Sequence, residues 1–185
     1  PLRVLDRSLG ELTKAGTNQV SLVAVAVDPA LGDIEVQGGI FSVEKVITSL
    51  GNPTRTLTLR SNATLQFYQV SNALSKVVVM EHGAGLLNNS GLNTFGGPIT
   101  LLGSNIFNAG GAWLRLTNTV SGPGRLVKLG SSPLFLSGNN TYSGSTLVSA
   151  GVLALTNVGA ISSSSNIVIA SGAILDVSGR TDGKL

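Results

Sequence analysis

The chain is 185 residues long with a formal charge of +3, and 42% of it is hydrophobic against only 11% charged. That balance excludes a disordered tail and a strongly charged nucleic-acid binder, and the length suits one domain. With no cysteine there is no disulfide, thiol nucleophile or zinc-thiolate cluster, and the longest apolar run, Leu22 to Val27, is far too short to span a bilayer.

Residues 1–33 read as a strand-rich segment to which no repeat assigns a register. They open Pro1-Leu2-Arg3 with neither an initiator methionine nor an export signal. The last residues, Thr181 to Leu185, begin a new alternation, so the expectation is a piece of a longer protein, truncated at both ends. Asp28, Asp33 and Glu35 form the one acidic cluster. Oxygen ligands of that kind suit a cation, but a solvated turn around Pro29 and Gly32 is the simpler reading.

From Ile34 to the end, short apolar or alternating runs are each followed by Gly, Ser or Asn. Leu57-Thr58-Leu59, Val77-Val78-Val79, Ile99-Thr100-Leu101, Leu134-Phe135-Leu136 and Ile167-Val168-Ile169 are the clearest. This texture predicts strands and turns and disfavours helices. The runs recur at one constant step: Leu57, Leu59 and Leu65 fall on Val78, Met80 and Leu86, and these on Ile99, Leu101 and Phe107. Val148 and Gly151 fall on Ile169 and Gly172 by the same step. Between Phe107 and Leu147 the apolar column is not recovered. A period of about 21 with short strands and no helical segment predicts an all-β parallel β-helix, in which like residues stack at roughly 4.8 Å and aliphatic side chains form interior ladders. Asn62, Gly83, Gly151 and Gly172 are expected to turn one corner column, where left-handed backbone favours Gly and Asn.

The stretch from Val120 holds a longer pattern. Gly122, Gly124, Leu126, Lys128 and Gly130 are followed by Leu134, Leu136, Gly138, Asn140, Thr141, Tyr142, Gly144, Thr146, Val148, Gly151 and Leu153. In this order and spacing the residues resemble the autotransporter-associated β-strand repeat found in passenger regions of bacterial surface proteins. The resemblance is best over 120–185 and weaker over 34–119. It implies a right-handed, pectin-lyase-like β-helix at 34–185 in a secreted or surface-displayed protein, with the repeat itself structural and carrying no catalytic group, cofactor or metal.

The residues agree with that implication. A carbohydrate-cleaving site needs paired or cation-binding carboxylates, yet between Lys45 and Leu175 Glu81 is the only acid. His82 is the only histidine and has no defined nucleophile beside it. The glycine motifs lack a P-loop ending, and the twelve basic residues are dispersed, Arg125 and Lys128 being the nearest to a patch. The expected partners are therefore neighbouring coils of the parent protein and a surface glycan or host-cell ligand, with neither nucleic-acid binding nor membrane insertion. Trp113 is the candidate ligand-contacting aromatic. The leading expectation is a non-catalytic rod or display scaffold with adhesive contacts, and the alternative is a carbohydrate-binding or carbohydrate-active β-helix fragment.

Overall fold

The structure is a computed structural model that describes residues 10–184. The opening Pro1-Leu2-Arg3 and the final Leu185 lie outside that range. Among the described residues every regular element is a strand, and the chain winds as a β-solenoid of about 8 turns with ~21 residues per turn.

Turn one supplies β1 (Leu12–Lys14) and β2 (Gln19–Val23), turn two β3 (Ile34–Val36) and β4 (Ile40–Glu44), and turn three β5 (Thr56–Leu59) and β6 (Thr64–Tyr68). Turn four is the first with three strands, β7 (Val77–Met80), β8 (Gly85–Ser90) and β9 (Leu92–Phe95). Turn five holds β10 (Ile99–Leu101), β11 (Ser104–Ala109) and β12 (Trp113–Leu116), and turn six β13 (Val120–Ser121), β14 (Arg125–Leu129) and β15 (Leu134–Leu136). Turn seven keeps β16 (Thr146–Val148) and β17 (Val152–Asn157), and turn eight β18 (Ile167–Ile169) and β19 (Ile174–Arg180). Stacking of like strands makes three parallel sheets: a first face of six strands from β1 to β13, a second of eight from β2 to β18, and a third of five from β9 to β19.

Alternation along each short strand decides what lies inside. On the first face Ile34, Leu57, Val78, Ile99 and Val120 stack as one buried column, and Val36, Leu59, Met80 and Leu101 as the next. On the second face the column runs Phe41, Leu65, Leu86, Phe107, Lys128, Val148. The constant-step correspondences in the sequence are thus backbone pairings. Lys128 explains the gap after Phe107: a lysine occupies the inward position, so a search for apolar residues loses the column there. The next step, from Lys128 to Val148, is also shorter by one than the step from Phe107 to Lys128.

The ladder also runs back through residues without an obvious repeat. Leu12 pairs with Ile34 and Phe41 with Leu65, both longer steps than those of the middle turns, because the first three turns close their third side with loops of unequal length. One expectation is corrected. Asn62 and Gly83 turn the corner between the first and second faces, whereas Gly151 and Gly172 turn the corner between the second and third. All four have positive φ, but they form two columns, because residue type alone does not distinguish corners that make the same backbone demand.

Candidate functional site

The groups considered for catalysis do not converge. Asp33 is paired with Arg55 at 2.6 Å and accepts the Thr56 N–H, Glu35 is paired with Arg60, and Asp28 caps the Ala30 N–H. A solvent-open depression of about 390 Å³ lies beside them, lined by Glu11, Leu12, Asp33, Glu35, Thr56 and Thr58. Its Asp33 and Glu35 carboxylates are already committed to arginines. Among the described residues no three His, Cys, Asp or Glu side chains group as metal ligands. Glu81 faces Arg60 at 2.7 Å and the Ser61 N–H, and these donors hold its carboxyl below the ordinary carboxylate range. His82 is exposed at the corner, its Nδ1 accepting a long 3.4 Å bond from the Ser104 N–H.

The glycine-rich motif is built into the wall and interior. Gly122 and Gly124 flank the corner leading into β14, and Gly144 lies just before β16, where a Cβ would run into the Gly124 carbonyl. Gly138 follows β15, where a Cβ would stand 2.5 Å from the Asn118 oxygen. Gly151 needs its glycine twice over, for a φ of 65° and for a Gly130 carbonyl 2.5 Å from where a Cβ would sit. Asn140 is buried and acts as a bracket between turns: its amide donates to the Gly138 and Ala160 carbonyls while its oxygen accepts the Val120 N–H at 2.9 Å. Thr141 is exposed, and its N–H reaches the Val120 carbonyl.

Tyr142 is 1% exposed. Its hydroxyl lies 2.6 Å from Thr146 Oγ1, which is 2.9 Å from Ser164 Oγ, which donates to the Gly144 carbonyl. Burial pushes the phenol up to about 12, so it stays a neutral member of this chain of hydroxyls.

Of the interior lysines, only Lys128 stands in the repeat pattern of the sequence. Lys128 is fully buried, its stem packed in the apolar column and its ammonium donating to the Leu129, Gly130 and Ala150 carbonyls at 2.7–3.1 Å. It is therefore absent from the surface, and no basic patch with Arg125 exists. Lys76 is equally buried and reaches the Gly32 and Asn52 carbonyls, while Lys14 reaches those of Gly16 and Gly38. Each ammonium neutralises corner carbonyls that no strand partner takes. Burial depresses Lys76 and Lys128 to about 8. For Lys14 and Lys128, a lysine falling on an inward column is the signal that could have found them.

The third face presents the molecule's aromatic surface. Side chains pointing away from the core stack as Leu92, Trp113, Pro133, Val152 and Ile174, with Thr94, Arg115, Phe135, Ala154 and Asp176 alongside. Leu92 and Ile174 are 58% and 54% exposed. Trp113 and Phe135 meet edge to face with centroids 5.9 Å apart, and the Arg115 guanidinium carbon lies 5.3 and 4.9 Å from the two ring centres. Phe67, by contrast, is core, packed 5.9 Å from Phe95.

A parallel β-solenoid in which Gly138, Asn140 and Tyr142 are built into the wall and interior has the character of a structural repeat. Residues 126–155 match the family model described as Passenger-associated-transport-repeat, and the solenoid they sit in fits an autotransporter passenger repeat. The matched segment runs from β14 through β17 and contains Lys128, Asn140 and Tyr142. No curated protein and no solved structure matches the chain.

Proposed function

We propose that the chain is a section of the rod of a secreted or surface-displayed autotransporter-like passenger, spacing or displaying other parts and performing no catalysis itself. The observation that carries this reading is the repeat match over 126–155, together with the internal use of its polar residues. Asn140 and Lys128 are consumed in joining turns to one another, and Tyr142 in a hydroxyl chain that passes through Thr146 to Ser164 of the next turn, which is the work of a scaffold. Fused upstream of a bacterial translocator β-barrel, the chain is expected to reach the cell surface and become accessible to external protease. Retention inside the cell envelope, or polysaccharide cleavage lost on substitution within 45–175, would overturn the proposal. A second reading, adhesive contact along the rod, is favoured by the third face, where half-buried Trp113 and Phe135 stand among exposed Leu92 and Ile174.

A further inference from the structure

The outward column of the third face combines three properties that core packing does not require. It is apolar over five successive turns, it contains the single tryptophan of the chain, and the column beside it packs the Arg115 guanidinium against both the Trp113 and Phe135 rings. Among the described residues Arg115 has no hydrogen-bond or ion-pair partner, so its N–H donors are free for an anion. β12 and β15 each have strand neighbours on both sides, so an extended peptide cannot add to this face as a strand, which requires an open edge. One cation without basic neighbours does not suit a nucleic-acid backbone.

A sugar ring does suit it. The flat C–H face of a pyranose lies on an aromatic or aliphatic wall, where the negative ring face meets polarised C–H groups, and a ring carboxylate offers the planar pair of acceptors that a guanidinium fork matches. The rungs repeat at roughly 4.8 Å, so a polysaccharide running along the rod meets a new apolar rung at nearly every sugar. Asp176 lies in the same column as Arg115, three rungs further on, and confines an acidic chain to the end nearer Leu92 and Trp113.

We propose that the third face, centred on Trp113, Arg115 and Phe135, binds an acidic polysaccharide, with pyranose rings against Trp113 and Leu92 and a uronate carboxylate on Arg115. This deepens the adhesive reading and is independent of the rod reading.

Because Trp113 is the only tryptophan, its emission reports on this site alone. Titration of the full chain with oligogalacturonate is expected to change that emission saturably and to weaken as salt is raised, while maltoheptaose of similar length gives at least about tenfold weaker binding. Arg115→Gln should weaken oligogalacturonate binding by about tenfold or more, with the far-UV spectrum and thermal midpoint unchanged. Emission that stays flat into the millimolar range overturns the proposal, as does equal binding of the neutral sugar with no effect of Arg115→Gln. Concentration-dependent dimerisation abolished by Trp113→Ala would also overturn it, assigning the face to a second copy. None of these outcomes bears on surface display, which tests the rod separately.

Discussion

Turns one to three and turns five to eight share the same second face but close the solenoid differently. In the early turns the third side is loop, the pairing steps are uneven, and ion pairs run outside, Arg55 to Asp33 and Arg60 to both Glu35 and Glu81, beside buried Lys14 and Lys76, which cross between turns to Gly38, Gly32 and Asn52. In the later turns a third sheet replaces the loops, the second-face steps are nearly constant, and the ties lie inside as Lys128, Asn140 and the Tyr142 hydroxyl chain. The contrast teaches that a loop-closed turn is free to lengthen, as between Phe41 and Leu65, and draws on individual staples, whereas a constant step does not need the repeat motif, since Leu65, Leu86 and Phe107 keep one outside 126–155.

If the two regions differ only in closure, their cores should respond alike. Phe67→Ala in the early region and Phe107→Ala in the later one should each cost about 3–5 kcal/mol, measured by urea unfolding. A loss below about 1 kcal/mol for Phe67 alone would mean that the loop-closed turns are not packed like the rest. Gly151→Ala should come next at about 1–3 kcal/mol, since the corner demands positive φ and close approach to the Gly130 carbonyl. Tyr142→Phe should cost about 1–2 kcal/mol by leaving the buried Thr146 hydroxyl one partner short.

The buried lysines sharpen the contrast through pH. Both are lowered in the folded chain to about 8 from an ordinary 10.5, so the unfolded chain binds more protons between those values. Stability should therefore rise as pH climbs from about 8 to about 10.5 and be flat below. Lys128→Met should remove the part of that rise belonging to the later turns, and Lys76→Met the part belonging to the loop-closed turns. A urea midpoint that falls over this window in the unsubstituted chain would mean that the carbonyl bonds to the ammonium outweigh its desolvation.

The fold was legible because a solenoid writes each column repeatedly. Leu57, Val78 and Ile99 recur at equal spacing and pair directly. Legibility failed where a column changes chemistry, as at Lys128, whose long apolar stem fills an aliphatic slot while its head solves a corner problem that only the folded chain poses. It failed also at the first two turns, where loop lengths vary and no constant step exists. The aromatic site was half legible: Trp113 stood out as the lone tryptophan, but Phe135 belongs to the following turn and joins Trp113 and Arg115 only through the pairing of β12 with β15.

The smallest expected effect separates the outer ties of the early turns from the inner ties of the later ones. Arg60 bridges Glu35 and Glu81 across three turns, and it resembles a strong staple when drawn. All three side chains are substantially exposed, so water and salt screen the attraction and side-chain entropy offsets much of it. Hydrogen bonds from Gln37 and Arg60 hold the Glu35 carboxyl below its ordinary 4.5, and that from Arg60 does the same for Glu81. Their contribution is therefore present above pH 4.5 and fades as pH falls through the lowered values. Arg60→Gln should accordingly shift the thermal midpoint at neutral pH less than Tyr142→Phe does, and the shift should vanish in high salt or at acid pH. A shift as large as that of Tyr142→Phe, and insensitive to salt, would place the strength of the early turns in their outer ion pairs and not in the core columns and Lys76.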